Sequence, residues 1–244
     1  MKIIPLKEGT FWASKKKEFT LIDTNFDQPV EPGSLKMAVC PFLIELPDDL
    51  VLIDTGLGWK ENGKSVLISL IEAAGYQPEQ ITKVLLSHLH KDHTDGLGFF
   101  TEEGYKTYFP KATVFLQQRE MTYALSQENS YSFDQQTLNA IKDLPNLEYM
   151  NADKGTIGSY ITYEVTGGHS PYHQVFWIRE DENIAFFGGD NLPQESYLKY
   201  HIAYKTDFEG KKAMELRQIW EQEARAEGWK LLLYHDLEKP IVEL

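Results

Sequence analysis

Two apolar segments near the start of the chain, "KMAVCPFLIEL" and "DDLVLIDTGLG", flank a polar "PDD", the pattern of a hairpin with a polar turn. The second ends in Asp54-Thr55-Gly56, where glycine permits a sharp exit from a strand. Residues 64–74, with Ser65 as the start, predict a short helix stopped by Gly75. "ITKVLLSHLH" reads as a buried strand running straight into a polar loop, "KATVFLQQ" as a strand and "SFDQQTLNAIKDL" as a helix. "SYITYEVTG", "HQVFWIRE" and "NIAFFGGD" form a further set of strands. From about 209 to 227, Ala213, Leu216, Trp220 and Ala224 recur at helical spacing, so one face packs and the other is charged. Gly228 ends that helix, and "WKLLLYHD" is a closing strand. Strand, helix, strand order argues for a layered α/β protein rather than an all-β barrel. With no low-complexity linker and no internal repeat, residues 1–244 are expected to form a single domain.

Composition narrows the function classes. Thirty-seven acids against 24 bases leave a net charge of −13, which repels phosphate backbones and anionic membranes. Nucleic acid and membrane are therefore not expected partners. The one visible basic run, Lys15-Lys16-Lys17, is short. The single cysteine, Cys40, excludes an intramolecular disulfide framework and a cysteine-rich metal knuckle, and beside Pro41 it reads as a buried, inert thiol. The N-terminus lacks the apolar core of a signal peptide, and no stretch reaches the roughly 18 apolar residues of a membrane span. A cytoplasmic protein is the simplest expectation. Between 99 and 150, Tyr105, Tyr108, Phe109, Tyr123, Tyr131 and Phe133 are expected to pack, with lining a pocket as the alternative.

The densest chemistry is "SHLHKDHTDG", where His88, His90, Asp92 and His93 crowd the end of a predicted strand. Imidazoles at i and i+2 of an extended segment point to one side, and Asp92 and His93 turn toward a second position. Imidazole and carboxylate are natural ligands of zinc and other borderline divalent ions. His169 in "TGGHSPYH", Asp190 in "FFGGDN" and His235 in "LLLYHD" each follow an apolar strand in the same way. A carboxylate such as Asp190 has two oxygens and so bridges two ions. These seven residues are candidates for a two-metal centre.

With these residues the chain resembles the metallo-β-lactamase-fold hydrolases. "SHLHKDH" matches that family's HxHxDH motif, "GGH" its third-histidine segment, "GGD" its bridging aspartate and "YHD" its last histidine, over roughly residues 35–240. The resemblance implies an α/β fold, an αββα four-layer sandwich with the metals at one edge. It assigns His88, His90 and His169 to the first metal, Asp92, His93 and His235 to the second, and Asp190 to both. Asp54 matches a position that supports the ligands from behind, by accepting a histidine N–H and fixing its tautomer. His173, in "SPYHQ", is expected to be a supporting or structural histidine rather than a ligand; for His201, contact with substrate or proton donation stands beside an ordinary surface or packing role.

The departures from sub-family patterns also inform. Asp190 stands where true β-lactamases carry cysteine, and redox di-iron branches often have glutamate where His90 stands. Hydroxyacyl-glutathione hydrolases add a helical C-terminal domain, whereas only residues 236–244 follow the last ligand here. The ligand set most resembles that of small lactone-hydrolysing and esterase members. Yet "NLPQ" follows Asp190 where those members place a tyrosine, with Tyr197 and Tyr200 only later. The expected reaction is attack of a metal-activated hydroxide, held beside Asp92 and Asp190 as the catalytic carboxylates, on an ester or lactone carbonyl of a small molecule. The cofactor expectation is two divalent ions, zinc first, with manganese and iron accommodated by the same ligands. The alternatives are a metal-dependent phosphodiesterase or sulfatase, a mononuclear iron thiol dioxygenase, and a non-catalytic scaffold, which the full ligand set disfavours. A homodimer is compatible with the sequence.

Overall fold

The computed structural model describes residues 1–23, 28–29 and 31–244. Two six-stranded sheets dominate it. In the first, the spatial order is Lys2–Pro5, Phe42–Glu45, Leu50–Ile53, Lys83–Leu85, Thr113–Gln117 and Leu147–Met150. Pairing is antiparallel through the hairpin and parallel from Leu50–Ile53 onward. The second runs Lys154–Ile157, Ile161–Val165, Gln174–Glu180, Asn183–Phe187, Lys230–Leu232 and Ile241–Glu243. A smaller sheet, Phe19–Leu21, Gly9–Ala13 and Leu35–Val39, lies to one side.

Side-chain alternation along each strand builds the layers. Phe42, Ile44, Val51, Ile53, Leu85 and Phe115 turn inward and meet Phe176, Ile178, Ala185, Phe187 and Leu232 of the other sheet. Their neighbours Leu43, Leu52, Val84, Val114 and Leu116 turn outward, under Leu67 and Ile71, Met121 and Ala124, and Leu138 and Ile141 of three helices. On the far side Val175, Phe186, Leu231 and Leu233 pack beneath Trp220 and Ala224. The result is helix, sheet, sheet, helix, an αββα sandwich. Because the central strands are covered on both faces, they read as unbroken apolar runs such as "LVLI" rather than as alternating patterns. Each such fully buried side chain contributes about 1.5–3 kcal/mol relative to exposure.

Local signals set the helix ends. Ser65 caps Val66–Ala73 by accepting the Ile68 N–H, and Asp134 caps Gln135–Ile141 through the Gln136 and Thr137 N–H groups. Gly228, at φ 67°, closes Gly210–Glu227.

Three differences from the sequence expectations stand out. "KMAVCPFLIEL" is not one strand: Leu35–Val39 belongs to the small sheet and Phe42–Glu45 to the first large one. The break falls at Cys40-Pro41, since proline cannot donate to a continuing ladder. The strand expected to reach His90 spans only Lys83–Leu85. The 99–150 segment holds a hairpin, Gly98–Thr101 with Gly104–Thr107, and an additional helix, Gln118–Ser126. Phe109 and Phe133 are buried in the core, whereas Tyr131 is exposed. Among the described residues, no helix is long and apolar enough to cross a membrane.

Candidate metal centre

Strand direction brings the ligand-type residues to one edge. Leu50–Ile53 and Lys83–Leu85 are parallel, so Asp54 and the His88 loop leave the first sheet together. Asn183–Phe187 is parallel to Lys230–Leu232, so Asp190 and His235 leave the second sheet together. Ile161–Val165 runs antiparallel to Gln174–Glu180, itself antiparallel to Asn183–Phe187, so His169 leaves on that same side. A short turn of helix, Lys91–Thr94, then swings Asp92 and His93 away from His88 and His90.

All seven residues meet in two adjacent groups. His88, His90, His169 and Asp190 form one, and Asp92, His93 and His235 the other, with ligand atoms within 4.8 Å of one another in each. Asp190 reaches both: its Oδ2 is 3.2 Å from His169 Nε2, and its Oδ1 is 3.0 Å from His235 Nε2 and 3.2 Å from His93 Nε2. His235 Nε2 is 3.6 Å from Asp92 Oδ2, and His90 Nδ1 faces His169 Nε2 at 3.0 Å.

The far side of each ring is tethered. His93 Nδ1 meets Asp54 Oδ2 at 2.7 Å, and His169 Nδ1 meets Asp207 Oδ1 at 2.8 Å. His235 Nδ1 meets the Ala38 carbonyl at 2.6 Å. The Ser87 hydroxyl donates to Asp54 Oδ2 at 2.7 Å and accepts from His88 Nδ1 at 3.1 Å. Acceptors at Nδ1 keep the proton there and leave the Nε2 lone pairs of His88, His93, His169 and His235 pointing inward. Asp54 also accepts the Ser87 backbone N–H at 2.8 Å, and sits at φ 53°, a left-handed conformation that aspartate tolerates better than most residues.

The pocket's own chemistry tests the fit of a metal. The Nε2 atoms of His88, His93 and His235 and Asp190 Oδ1 are buried without a hydrogen-bond partner. Their separations are short, but their directions do not satisfy one another. Four orphaned polar atoms at one point would cost several kcal/mol if nothing joined them. Two ligands at about 2.0–2.1 Å from a tetrahedral ion stand about 3.4 Å apart, close to the separations around Asp190. The donor set therefore fits divalent ions. In the protein alone, burial and the neighbouring rings hold His88 and His90 well below the usual imidazole range. Burial pushes His93 the same way, but the Asp190 and Asp54 carboxylates outweigh it and raise its proton affinity. For Asp190, burial pushes upward, and His235, His93 and His169 together hold the carboxyl well below its ordinary value.

His173 stands outside both groups. Its Nε2 accepts the Asp190 backbone N–H at 3.2 Å, and burial pushes its pKa down to about 3, so it remains a neutral acceptor. Gly189, at φ 50°, makes room for it, since a Cβ there would lie 2.5 Å from His173 Nε2. His201 is exposed at the end of Ser196–Tyr200. Tyr197 stacks on Tyr204, with centroids 4.5 Å apart, and on the Arg217 guanidinium.

Several contributors escaped sequence reasoning. Asp207 has no motif around it and lies 38 residues from His169. Ala38 contributes only a carbonyl, which no residue type marks. Tyr234 stacks on His93 at 4.1 Å and donates to the Asp92 carbonyl at 2.7 Å; its place beside His235 was the available signal. Asn191 accepts the His169 N–H at 2.8 Å, and its own carbonyl accepts from the buried Arg217. A cavity of about 490 Å³ opens past His90 and His169. A larger groove, about 690 Å³, lies between residues 194–200 and 236–239 and contains none of the seven.

Residues 41–224 match the metallo-beta-lactamase superfamily. The chain belongs to this superfamily. An N-acyl homoserine lactonase of Bacillus thuringiensis is 25% identical over 184 residues, covering 66% of each chain, so the likeness spans just under two thirds of that relative. A probable metal-dependent hydrolase from Staphylococcus aureus superposes with a TM-score of 0.81 at 19% identity, covering 99% of this chain and 91% of the other. AidC, a dizinc quorum-quenching lactonase, does so with a TM-score of 0.69 at 21% identity, covering 85% and 76%. At these identities the structural likenesses establish the fold.

Proposed function

We propose that the protein is a dinuclear metal-dependent hydrolase that opens an ester or lactone bond in a small molecule. The observation that carries this reading is the reach of Asp190, whose two oxygens lie within 3.2 Å of imidazole nitrogens from both groups. His88, His90 and His169 would hold one ion and Asp92, His93 and His235 the other, with Asp190 between them. Zinc is the ion proposed first, since four-coordinate imidazole and carboxylate sites suit it and one structural relative is a dizinc lactonase. When bound, a pair of such ions lowers the pKa of a water toward neutrality and polarises a carbonyl.

The chain's own residues supply the rest. Asp54, Asp207, Ser87 and the Ala38 carbonyl hold four rings in register, so the ligand set is preorganised before any substrate arrives. Asp92 is an acceptor at the reacting edge for the proton that an attacking water gives up, and Asp190 orients that water beside it. Burial of His88, Asp92, His93 and His235 keeps bulk water from competing. The lactonases among the relatives favour a carbonyl substrate over a phosphodiester.

The test is metal analysis of the purified chain followed by an ester, lactone, thioester and phosphodiester panel. Two ions per chain and turnover of carbonyl substrates are expected, with both lost in His88→Ala and Asp190→Ala. Full metal content and rate in both variants would sink the assignment, and phosphodiester turnover alone would replace the substrate class.

A further inference from the structure

The basic run Lys15-Lys16-Lys17 lies in the tight turn between Gly9–Ala13 and Phe19–Leu21, which shares a cavity with His90 and His169. Lys15 and Lys17 both line the 490 Å³ cavity that opens past His90 and His169, whereas Lys16 does not. The turn holds this alternation. The Lys17 N–H donates to the Ser14 carbonyl at 2.9 Å, and the Ser14 hydroxyl accepts the Lys16 and Glu18 N–H groups at 3.1 and 3.2 Å. Lys17 sits at φ 55° to complete it. The Lys15 backbone N–H is bound by Glu31 Oε1 at 2.9 Å.

Neither ammonium has a hydrogen bond or ion pair among the described residues. The nearby acids are engaged elsewhere: Glu31 at a backbone N–H, Asp207 at His169, and Asp190 among the imidazoles. The rest of the lining is apolar or neutral, including Tyr123, Phe133, Phe208 and Ser132. An apolar acyl chain needs only those walls. Two unpaired cations at the rim of one cavity, in a chain of net charge −13, focus an attractive field for anions there.

We propose that the cavity takes substrates carrying an anionic group, carboxylate or phosphate, set apart from the scissile carbonyl and bound by Lys15 and Lys17. This rests on the hydrolase reading above. The cavity's size suits a compact molecule, at the small end of the usual range for ligand pockets. The lysines act on binding rather than on the bond broken, so the anion preference resides in KM.

The test uses the metal-loaded full chain and three para-nitrophenyl acyl esters of equal length, ending in methyl, carboxylate or phosphate. The wild type is expected to favour an anionic end by about tenfold in kcat/KM, through KM, with the preference falling as salt rises. Lys15→Gln with Lys17→Gln removes that ratio, Lys16→Gln retains it, and the preferred end assigns the anion. No anionic preference in the wild type, or equal losses on neutral and anionic esters, would overturn the proposal. Calorimetry with glutarate and butyrate separates the two readings. If neither these esters nor the lactone and thioester panel is turned over, the hydrolase reading fails. Glutarate binding more tightly than butyrate in the wild type, but not in the double variant, still supports the anion site, and equal binding refutes it.

Discussion

Exchanging Asp54 for asparagine replaces one carboxylate oxygen by an NH₂ group and reverses the hydrogen bonding behind His93. The carboxylate is fully buried and accepts three donors: the Ser87 N–H, the Ser87 hydroxyl and His93 Nδ1. An asparagine oxygen can keep the Ser87 N–H, but its NH₂ cannot accept from His93. The ring then moves its proton to Nε2, the atom that faces Asp190 and Asp92. Asparagine tolerates the left-handed backbone as well as aspartate does, so φ 53° adds no separate cost. Loss of such a supporting acceptor typically weakens metal binding about 10- to 100-fold, or about 1.4–2.8 kcal/mol. The larger effect should fall on the ion held by His93, which Asp54 touches directly, with a smaller one on the other ion through the Ser87 hydroxyl that links Asp54 to His88 Nδ1. Zinc titration against a chromophoric chelator, with a thermal melt to confirm folding, reads the effect directly. Two sites of wild-type affinity in a folded Asp54→Asn protein would refute the claim that Asp54 sets the His93 tautomer.

Two further outcomes follow from the same geometry. Gly189→Ala places a Cβ against His173 at positive φ and should destabilise the fold by about 1–3 kcal/mol while weakening metal retention, measured by chemical denaturation and metal content; an unchanged midpoint would contradict it. Burial raises the Glu8 pKa to about 8, so the folded state holds a proton that the unfolded state has released, and stability falls as pH climbs from about 4.5 through 8. Glu8→Gln should flatten that fall by an amount on the order of 2–4 kcal/mol at pH 9 while matching wild type near pH 4, and parallel melting curves across pH would exclude the role.

Much of the candidate site was legible because its ligand-type residues are local in sequence or mark strand ends. Four sit within "HLHKDH", and Asp190 and His235 each follow an apolar run that ends at the same edge. The αββα layering followed from the resemblance and is present. What stayed hidden is non-local or carries no residue signature. Asp207 finds His169 only through tertiary packing, and the Ala38 carbonyl holds His235 across 197 residues. The Gln118–Ser126 helix follows its strand without a breaker, and its polar "QRE" start gave no apolar period. The Cys40-Pro41 break was visible as a proline, but its consequence, a change of sheet, depends on pairing with Gly9–Ala13.

That change of sheet divides labour along a short span of chain. At Ala38, opposite Thr10, the small sheet is pinned to His235 and so to metal retention. Four residues further along the Gly9–Ala13 strand, about 13 Å away, the Ser14–Glu18 turn lines the cavity, and among the described residues no hydrogen bond joins it to Asp54, Ser87, Asp207 or Ala38. The two ends can therefore drift independently. The lysines of the turn can be exchanged without disturbing the contact between the Ala38 carbonyl and His235.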